Sequence, residues 1–163
     1  MGRAGQEKGN PVTRILVVDN HAGLRKRLVR AVSNSVPGAS VDEAKDGQTA
    51  LSMVRKTRYS LILLDIFMPG KGGFEVLKEI RNLHPGVPVL TLSMHPEEGH
   101  AVRALRAGAS GYVTKESGPE ELAGAVCKVL AGGRFVSASL AAKLAREKET
   151  DTDIACRNQS TRR

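Results

Sequence analysis

Short apolar runs alternate with amphipathic stretches through the first four-fifths of the chain, and most runs end on a polar residue. Residues 14–19 read Arg-Ile-Leu-Val-Val-Asp, residues 60–65 read Ser-Leu-Ile-Leu-Leu-Asp, and residues 87–93 read Val-Pro-Val-Leu-Thr-Leu-Ser. Uninterrupted apolar runs of this length, bounded by turn residues, predict strands buried on both faces. Residues 40–44 and 111–115 predict two shorter, weaker strands. Between them the period lengthens. Leu24, Leu28, Ala31 and Val32 predict a helix over 21–35; Ala50, Leu51 and Val54 predict one running from Asp46-Gly47 to about Thr57; Phe74, Leu77, Ile80 and Leu83 mark a third. Residues 97–107 carry only Ala101, Val102 and Leu105 as a stripe, so that helix is expected to dock weakly and to be mobile. A fifth opens at Ser117-Gly-Pro-Glu-Glu121, with proline in its first turn and acids where the helix dipole favours them, and runs to Leu130 through Leu122, Val126 and Val129. Pro37-Gly38, Pro69-Gly70, Pro85-Gly86 and Gly132-Gly133 punctuate the series. Five strands alternating with five helices give an α/β, doubly wound sheet. Residues 137 to about 147 predict one more short helix with Leu140, Ala141 and Leu144, and residues 149–163 read as polar disorder, as do residues 1–12.

Composition sharpens this in two respects. A chain of 163 residues, 40% hydrophobic but 3% aromatic and without Trp, builds one domain around Leu, Val, Ile and Ala. No apolar run approaches the ~20 residues of a membrane span. The first ten residues lack the apolar stretch of a secretory signal, and Cys127 and Cys156 make neither a disulfide framework nor a metal cluster. A soluble, cytoplasmic protein is the expectation. The net charge of +8 asks for an acidic partner or serves solubility. Residues 14–136 hold 17 basic against 12 acidic residues, so the excess lies mainly in the folded part and neither tail is a polybasic arm. Aromatics are not interleaved with the basic residues, which argues against a stacking platform for single-stranded nucleic acid.

The chemistry gathers at the strand ends. The first strand ends in Asp19-Asn20, the third in Asp65, the fourth in Ser93 and the fifth in Lys115. In a parallel sheet all these ends share one rim, where open α/β sheets bind ligands. One aspartate, serine or lysine at a strand end is ordinarily a loop cap or solvated surface; the conjunction of all of them is what points to a site. A pair of carboxylates with a backbone carbonyl suits Mg²⁺. A carboxylate beside such an ion is a nucleophile towards phosphorus, and a lysine and a hydroxyl can hold the phosphoryl oxygens.

Val17-Val-Asp19-Asn20-His21, Leu64-Asp65-Ile-Phe-Met-Pro-Gly70, Leu92-Ser93-Met-His95 and Gly111-Tyr-Val-Thr-Lys115 resemble the motifs of a two-component response regulator receiver domain. Arg106-Ala-Gly-Ala-Ser-Gly-Tyr-Val-Thr-Lys-Glu-Ser and Gly132-Gly-Arg-Phe-Val-Ser are similar to its NarL/FixJ (LuxR-type) branch in particular. The resemblance covers about residues 13–136. It implies a flavodoxin-like, CheY-like fold with strand order 2-1-3-4-5, followed by residues 137–148 as a linker helix. It implies that Asp65 accepts a phosphoryl group from a sensor histidine kinase, with Mg²⁺ held by Asp19, the residue at position 20, Asp65 and the backbone carbonyl of Phe67. Lys115 would pair with the phosphoryl group, Ser93 would turn in to it, and Tyr112 would change rotamer with Ser93, repacking the face of the fourth helix and fifth strand to control a homodimer or an output partner. The implied role is that of a phosphoacceptor that assists its own phosphorylation and dephosphorylation rather than an enzyme acting on a separate substrate.

Two departures from the family pattern matter. Asn20 stands where a second acid is expected, and the loss of a charge next to a divalent ion costs on the order of 1–4 kcal/mol after screening. Weaker Mg²⁺ binding and slower phosphorylation follow; the competing expectation is a phosphate-independent pseudo-receiver. The NarL/FixJ resemblance also implies a following helix-turn-helix domain, whereas 27 residues follow Val136. The expectation is a truncated chain or a receiver acting alone, without direct, specific DNA binding. A Mg²⁺-dependent phosphohydrolase is disfavoured, because Phe67 stands where a second aspartate would supply acid/base catalysis. Arg25, Lys26, Arg27 and Arg30 on the first helix read equally as a kinase-docking patch and as a solvated face. His21, His84, His95 and His100 show no i, i+4 zinc pair and are assigned no metal. Cys127 is expected in the core and Cys156 exposed. Gly70, Gly72 and Gly73 lack phosphate-cradle spacing and read as a flexible loop beside Asp65.

Overall fold

The computed structural model describes residues 12–94, 98–136, 140–142 and 144–146. In chain order the elements are β1 (Arg14–Val18), α1 (Ala22–Ser35), β2 (Ser40–Ala44), α2 (Gly47–Lys56), β3 (Leu61–Asp65), α3 (Gly73–Leu83), β4 (Val89–Ser93), α4 (Glu98–Arg106), β5 (Gly111–Thr114) and α5 (Pro119–Leu130). All strands are parallel, in the order β2-β1-β3-β4-β5. The flavodoxin-like topology expected from the motifs is therefore the one observed.

Side chains alternate across the sheet with the two-residue period of a strand. Leu16, Val18, Ile62 and Leu64 join α2, α3 and α4 in one apolar layer. Ile15, Val17, Leu61, Leu63, Leu90, Leu92 and Val113 join α1 and α5 in the other. Every residue of β3 is buried. Each such Leu or Ile contributes about 1.5–3 kcal/mol by leaving water, so the strand that carries Asp65 is firmly fixed between both layers.

Several boundaries differ from expectation by a residue or two. Residue 21 is the N-cap of α1 rather than its first residue. β4 begins at Val89 because Pro88, just before it, has no N–H for a ladder. β5 stops at Thr114, which leaves Lys115 on the loop beyond. α4 buries Ala104 as well as Ala101, Val102 and Leu105, so its stripe is one small residue wider than predicted. Cys127 is exposed, not in the core. The buried face of α5 is Leu122, Ala125, Val126 and Val129, and one further residue turns the side chain about 100° away from Val126.

After α5 the chain returns to the sheet edge. Phe135 makes a parallel bridge to Gly111, with its N–H on the Ser110 carbonyl and its own carbonyl accepting from Tyr112 N–H. A Cβ on Gly111 would stand 2.8 Å from the Phe135 oxygen, so a glycine is what permits this approach. Residues 140–142 and 144–146 are helical, in keeping with the expected linker helix, and Leu140 is buried in the layer of α2, α3 and α4. The expected tails, and His95 and Cys156, lie outside the described residues, except that Val12 is exposed.

Candidate functional site

Sheet register brings the polar strand ends together. Val18 pairs with Leu64, Asp65 with Leu92, and Ser93 with Thr114, so Asp19, Asp65, Ser93 and Lys115 leave three neighbouring gaps of the sheet on one rim. Asp19, Asp65 and Ser93 are each at most 1% exposed. Lys115 reaches back with its head equally buried: Nζ donates to Asp65 Oδ2 at 2.8 Å and stands 2.7 Å from Asp19 Oδ2. The second contact is a charge contact without hydrogen-bond direction, so Asp19 Oδ2 has no hydrogen-bond partner.

The two aspartates are held in the same way. Asp19 Oδ1 accepts the His21 N–H at 2.8 Å, and Asp65 Oδ1 accepts the Phe67 N–H at 3.0 Å. Both are turns closed by a side chain on the backbone two residues ahead, a common use of aspartate where a strand ends. Each carboxylate thus spends Oδ1 on its own loop and presents Oδ2 to Lys115. Gly73, the first residue of α3, sits against the end of β3: a Cβ there would meet backbone atoms of Asp65 and Ile66 at 2.7 Å or less. Its N–H donates to the Ile66 carbonyl at 3.0 Å. The glycine expected to provide loop flexibility instead provides close packing.

Burial, the largest influence, pushes the Asp65 carboxyl above the ordinary carboxylate range. The Lys115 hydrogen bond and charge pull it down, Asp19 pushes it up, and the Phe67 N–H pulls it down; the balance is upward. An oxygen-rich cluster of this kind suits a hard divalent cation: Asn20 Oδ1 is a buried atom without a hydrogen-bond partner, and Asp19 Oδ2, also without one, faces only the Lys115 ammonium. The residues at hand therefore fit a metal ion.

Two residues take places that the sequence did not suggest. Arg25 is not part of an outward basic patch. Its Nη1 donates to the Asp19 carbonyl at 2.8 Å, its Nε donates to Glu43 at 3.1 Å, and its side chain is 16% exposed. Lys26, Arg27 and Arg30 alone remain exposed. His21 lies beside the carboxylates, with Nδ1 3.5 Å from Asp19 Oδ1. A search for helix-spaced histidine pairs misses it; its position directly after the strand-end Asp19-Asn20 is the signal that finds it. Tyr112 does not join the cluster. It is buried within β5, in the same apolar layer as Ala101, Leu105 and Leu140. Phe67 is largely exposed and packs edge-on against His100 at 4.9 Å between ring centres.

Residues 15–127 match the response regulator receiver domain family. The chain is 34% identical over 132 residues to the response regulator GacA of Pseudomonas viridiflava, across 81% of this chain and 62% of that protein. It is 30% identical over 131 residues to the response regulator UvrY of Escherichia coli K12, across 80% and 60%. It thus spans about three-fifths of the length of these curated relatives. Among solved structures it resembles a LuxR-family two-component response regulator from Aurantimonas, with 37% identity, a TM-score of 0.76, and coverage of 84% of this chain and 98% of that one. The chemotaxis protein CheY4 of Vibrio cholerae follows at 28% identity and a TM-score of 0.67, over 72% and 98%. With the sheet order, the acidic rim and these relatives in agreement, the chain belongs to the response regulator receiver domain family, in its NarL/FixJ branch.

Proposed function

We infer that the domain is a phosphorylation-triggered switch in which Asp65 accepts a phosphoryl group from a sensor histidine kinase. The observation that carries this reading is the buried lysine between two buried aspartates, with Nζ 2.8 Å from Asp65 Oδ2 and 2.7 Å from Asp19 Oδ2. A structural salt bridge needs one acid. One ammonium offsets only one of the two buried carboxylates, and the net negative charge left at the rim would be offset by a bound cation.

In the transfer, an Asp65 oxygen attacks phosphorus, the new O–P bond forms, and the bond from phosphorus to the donor nitrogen breaks, with the electron pair leaving on the donor. Asp65 is suited to this because a carboxylate with a raised pKa is the more basic nucleophile. Asp19, Asn20 Oδ1, Asp65 and the Phe67 carbonyl would hold Mg²⁺, which when bound offsets charge on the phosphoryl oxygens. Lys115 already pairs with the Asp65 oxygen and would follow the charge outward onto the phosphoryl group. Ser93, one position beyond the residue paired with Asp65, would supply a hydroxyl from the next strand. Tyr112 would move with it. The switch then works by population shift, the phosphoryl group being held better in one arrangement of α4 and β5 than in the other.

A groove on the α1 side supports a reading in which the kinase docks there. Between α1 and α5 lies a groove of about 320 Å³ whose lining includes Leu24, Leu28 and Leu122 together with Arg27, Arg30 and Lys115. That groove would receive a kinase's phosphotransfer helix. Among the described residues no helix is long and apolar enough to cross a membrane.

The test is intact mass after incubation with acetyl phosphate and Mg²⁺. Wild type should gain one phosphoryl group and Asp65→Ala none. A gain that persists in Asp65→Ala removes the assignment, and no gain at any Mg²⁺ concentration turns the reading to the phosphate-independent module that Asn20 first suggested.

A further inference from the structure

Beyond α5 the chain turns back onto the domain. Gly132 takes a φ of +91°, and the residues after it reach the outer edge of β5. There Phe135 holds on by two backbone hydrogen bonds, its N–H on the Ser110 carbonyl at 3.0 Å and its carbonyl accepting the Tyr112 N–H at 3.3 Å. Five residues further on, Leu140 is 4% exposed, while Val136 and Leu144 pack partly buried against the same apolar layer. Leu140 and Leu144 stand one helical turn apart, and Ala141, Ala142, Ala145 and Arg146 around them are exposed, so one face alone is used.

The layer that receives Leu140 is the one that ends, next to β5, in α4 and Tyr112. α4 brings small side chains to it: Ala101 and Ala104 are at most 3% exposed. The thin apolar stripe of α4 is thus completed by a leucine from outside the receiver. The hold is slight. One buried leucine, two partly buried neighbours and a single bridge stand against the entropy of ordering about a dozen residues.

β5 joins this segment to the phosphoacceptor. At its start Gly111 and Tyr112 carry Phe135; directly after its end comes Lys115, with its N–H on the Ser93 carbonyl at 2.7 Å and its Nζ on both aspartates. A phosphoryl group on Asp65 draws Nζ off the carboxylate pair, and the four residues of β5 pass that movement to the partners of Phe135 and to the packing round Tyr112. Close-packed layers change between discrete arrangements rather than by degrees. We propose that residues 134–146 are a strap that occupies the α4–β5 face of the unphosphorylated domain and is released when Asp65 is phosphorylated. The proposal rests on reading Asp65 as the phosphoacceptor and names what the switch displaces. Any second copy or effector that uses this face competes with the chain's own segment.

The experiment follows amide hydrogen exchange of the full chain by mass spectrometry, with and without acetyl phosphate and Mg²⁺, in wild type, Leu140→Ala and Leu140→Asp. Intact mass is read in parallel. In wild type, phosphorylation should speed exchange in peptides from residues 134–146 at least tenfold and leave α1 and α2 within twofold. Leu140→Asp should exchange fast there without any phosphodonor, Leu140→Ala should fall between, and β1 and β3 should stay protected in both, which separates release of the strap from unfolding. Linkage is reciprocal, so beryllium fluoride, a phosphoryl mimic, should bind Leu140→Asp at least threefold tighter than wild type in Mg²⁺. An Asp65 adduct with unchanged exchange over 134–146, or equal affinity of wild type and Leu140→Asp for the mimic, overturns the strap and leaves the phosphoacceptor standing. Absence of any adduct on wild type removes the phosphoacceptor, and the release with it.

Discussion

Asp65 owes its chemistry to burial more than to any neighbour. Its carboxyl is raised above the ordinary value of 3.8, so folding takes up a proton between 3.8 and the raised value, and stability falls as pH climbs through that window. Asp65→Asn, which removes the buried charge, is therefore expected to raise the urea midpoint at pH 7, with the gain shrinking as pH is lowered towards 3.8. A gain that grew on acidification would mean that Lys115, not burial, governs the group. Asn20 sets the strength of the same site. Asn20→Asp restores a charge next to the bound ion, worth on the order of 1–4 kcal/mol, so Mg²⁺ should bind about fivefold tighter or better. Identical affinities in a Mg²⁺ titration would show that position 20 does not touch the ion. At this scale the sequence was informative wherever a residue ended a strand. Asp19, Asp65, Ser93 and Lys115 could be placed on one rim without coordinates. Arg25 could not, because its partners are a backbone carbonyl on β1's loop and Glu43 on β2, neither of which marks itself by spacing.

Helices and strands meet the site through their first and last residues, and that is where precision matters. Gly73 opens α3 hard against the end of β3. In Gly73→Ala the added Cβ meets backbone rather than a flexible side chain, so the helix must shift; a loss of about 1–3 kcal/mol is expected in denaturant unfolding. Phosphorylation should slow with it, since Asp65 sits at the displaced contact. A substitution silent in both measurements would mean that α3 and β3 slide freely. Hydrophobic periodicity located all ten elements but not their ends, which depend on caps and proline positions. It also misplaced Cys127: a side chain one residue past the buried Val126 looks apolar in sequence, yet faces out near the Ser35 carbonyl, with Sγ 3.9 Å away. The Phe135 bridge to β5 was invisible for a related reason. A single bridge has no repeat to read, and its enabling residue, Gly111, looks like any strand-opening glycine.

Over the whole molecule, the two faces of the sheet divide the work. The layer of α1 and α5 carries the groove whose lining includes Arg27, Arg30 and Lys115. The opposite layer holds Tyr112 and receives Leu140 from beyond the receiver. A phosphodonor protein would thus approach on one face, while a change in β5 would be felt on the other. Arg27→Glu should slow kinase-dependent phosphorylation about tenfold through the encounter rate and leave acetyl phosphate labelling unchanged. Unchanged kinase rates would return the cluster to a solvated face. The charge excess in residues 14–136 was legible from composition, but which of its cations point outward was not.

The central claim is that Asp65, and no other residue, carries the phosphoryl group. It is tested most directly by treating the chain with acetyl phosphate and Mg²⁺, reducing with borohydride, and mapping the peptides by mass spectrometry. An aspartyl phosphate is reduced at its acyl carbon, so the peptide containing residue 65 should be recovered with homoserine at that position, and only after phosphodonor treatment. Recovery of unmodified Asp65 from protein that has gained a phosphoryl group, or reduction at another aspartate, would contradict the account.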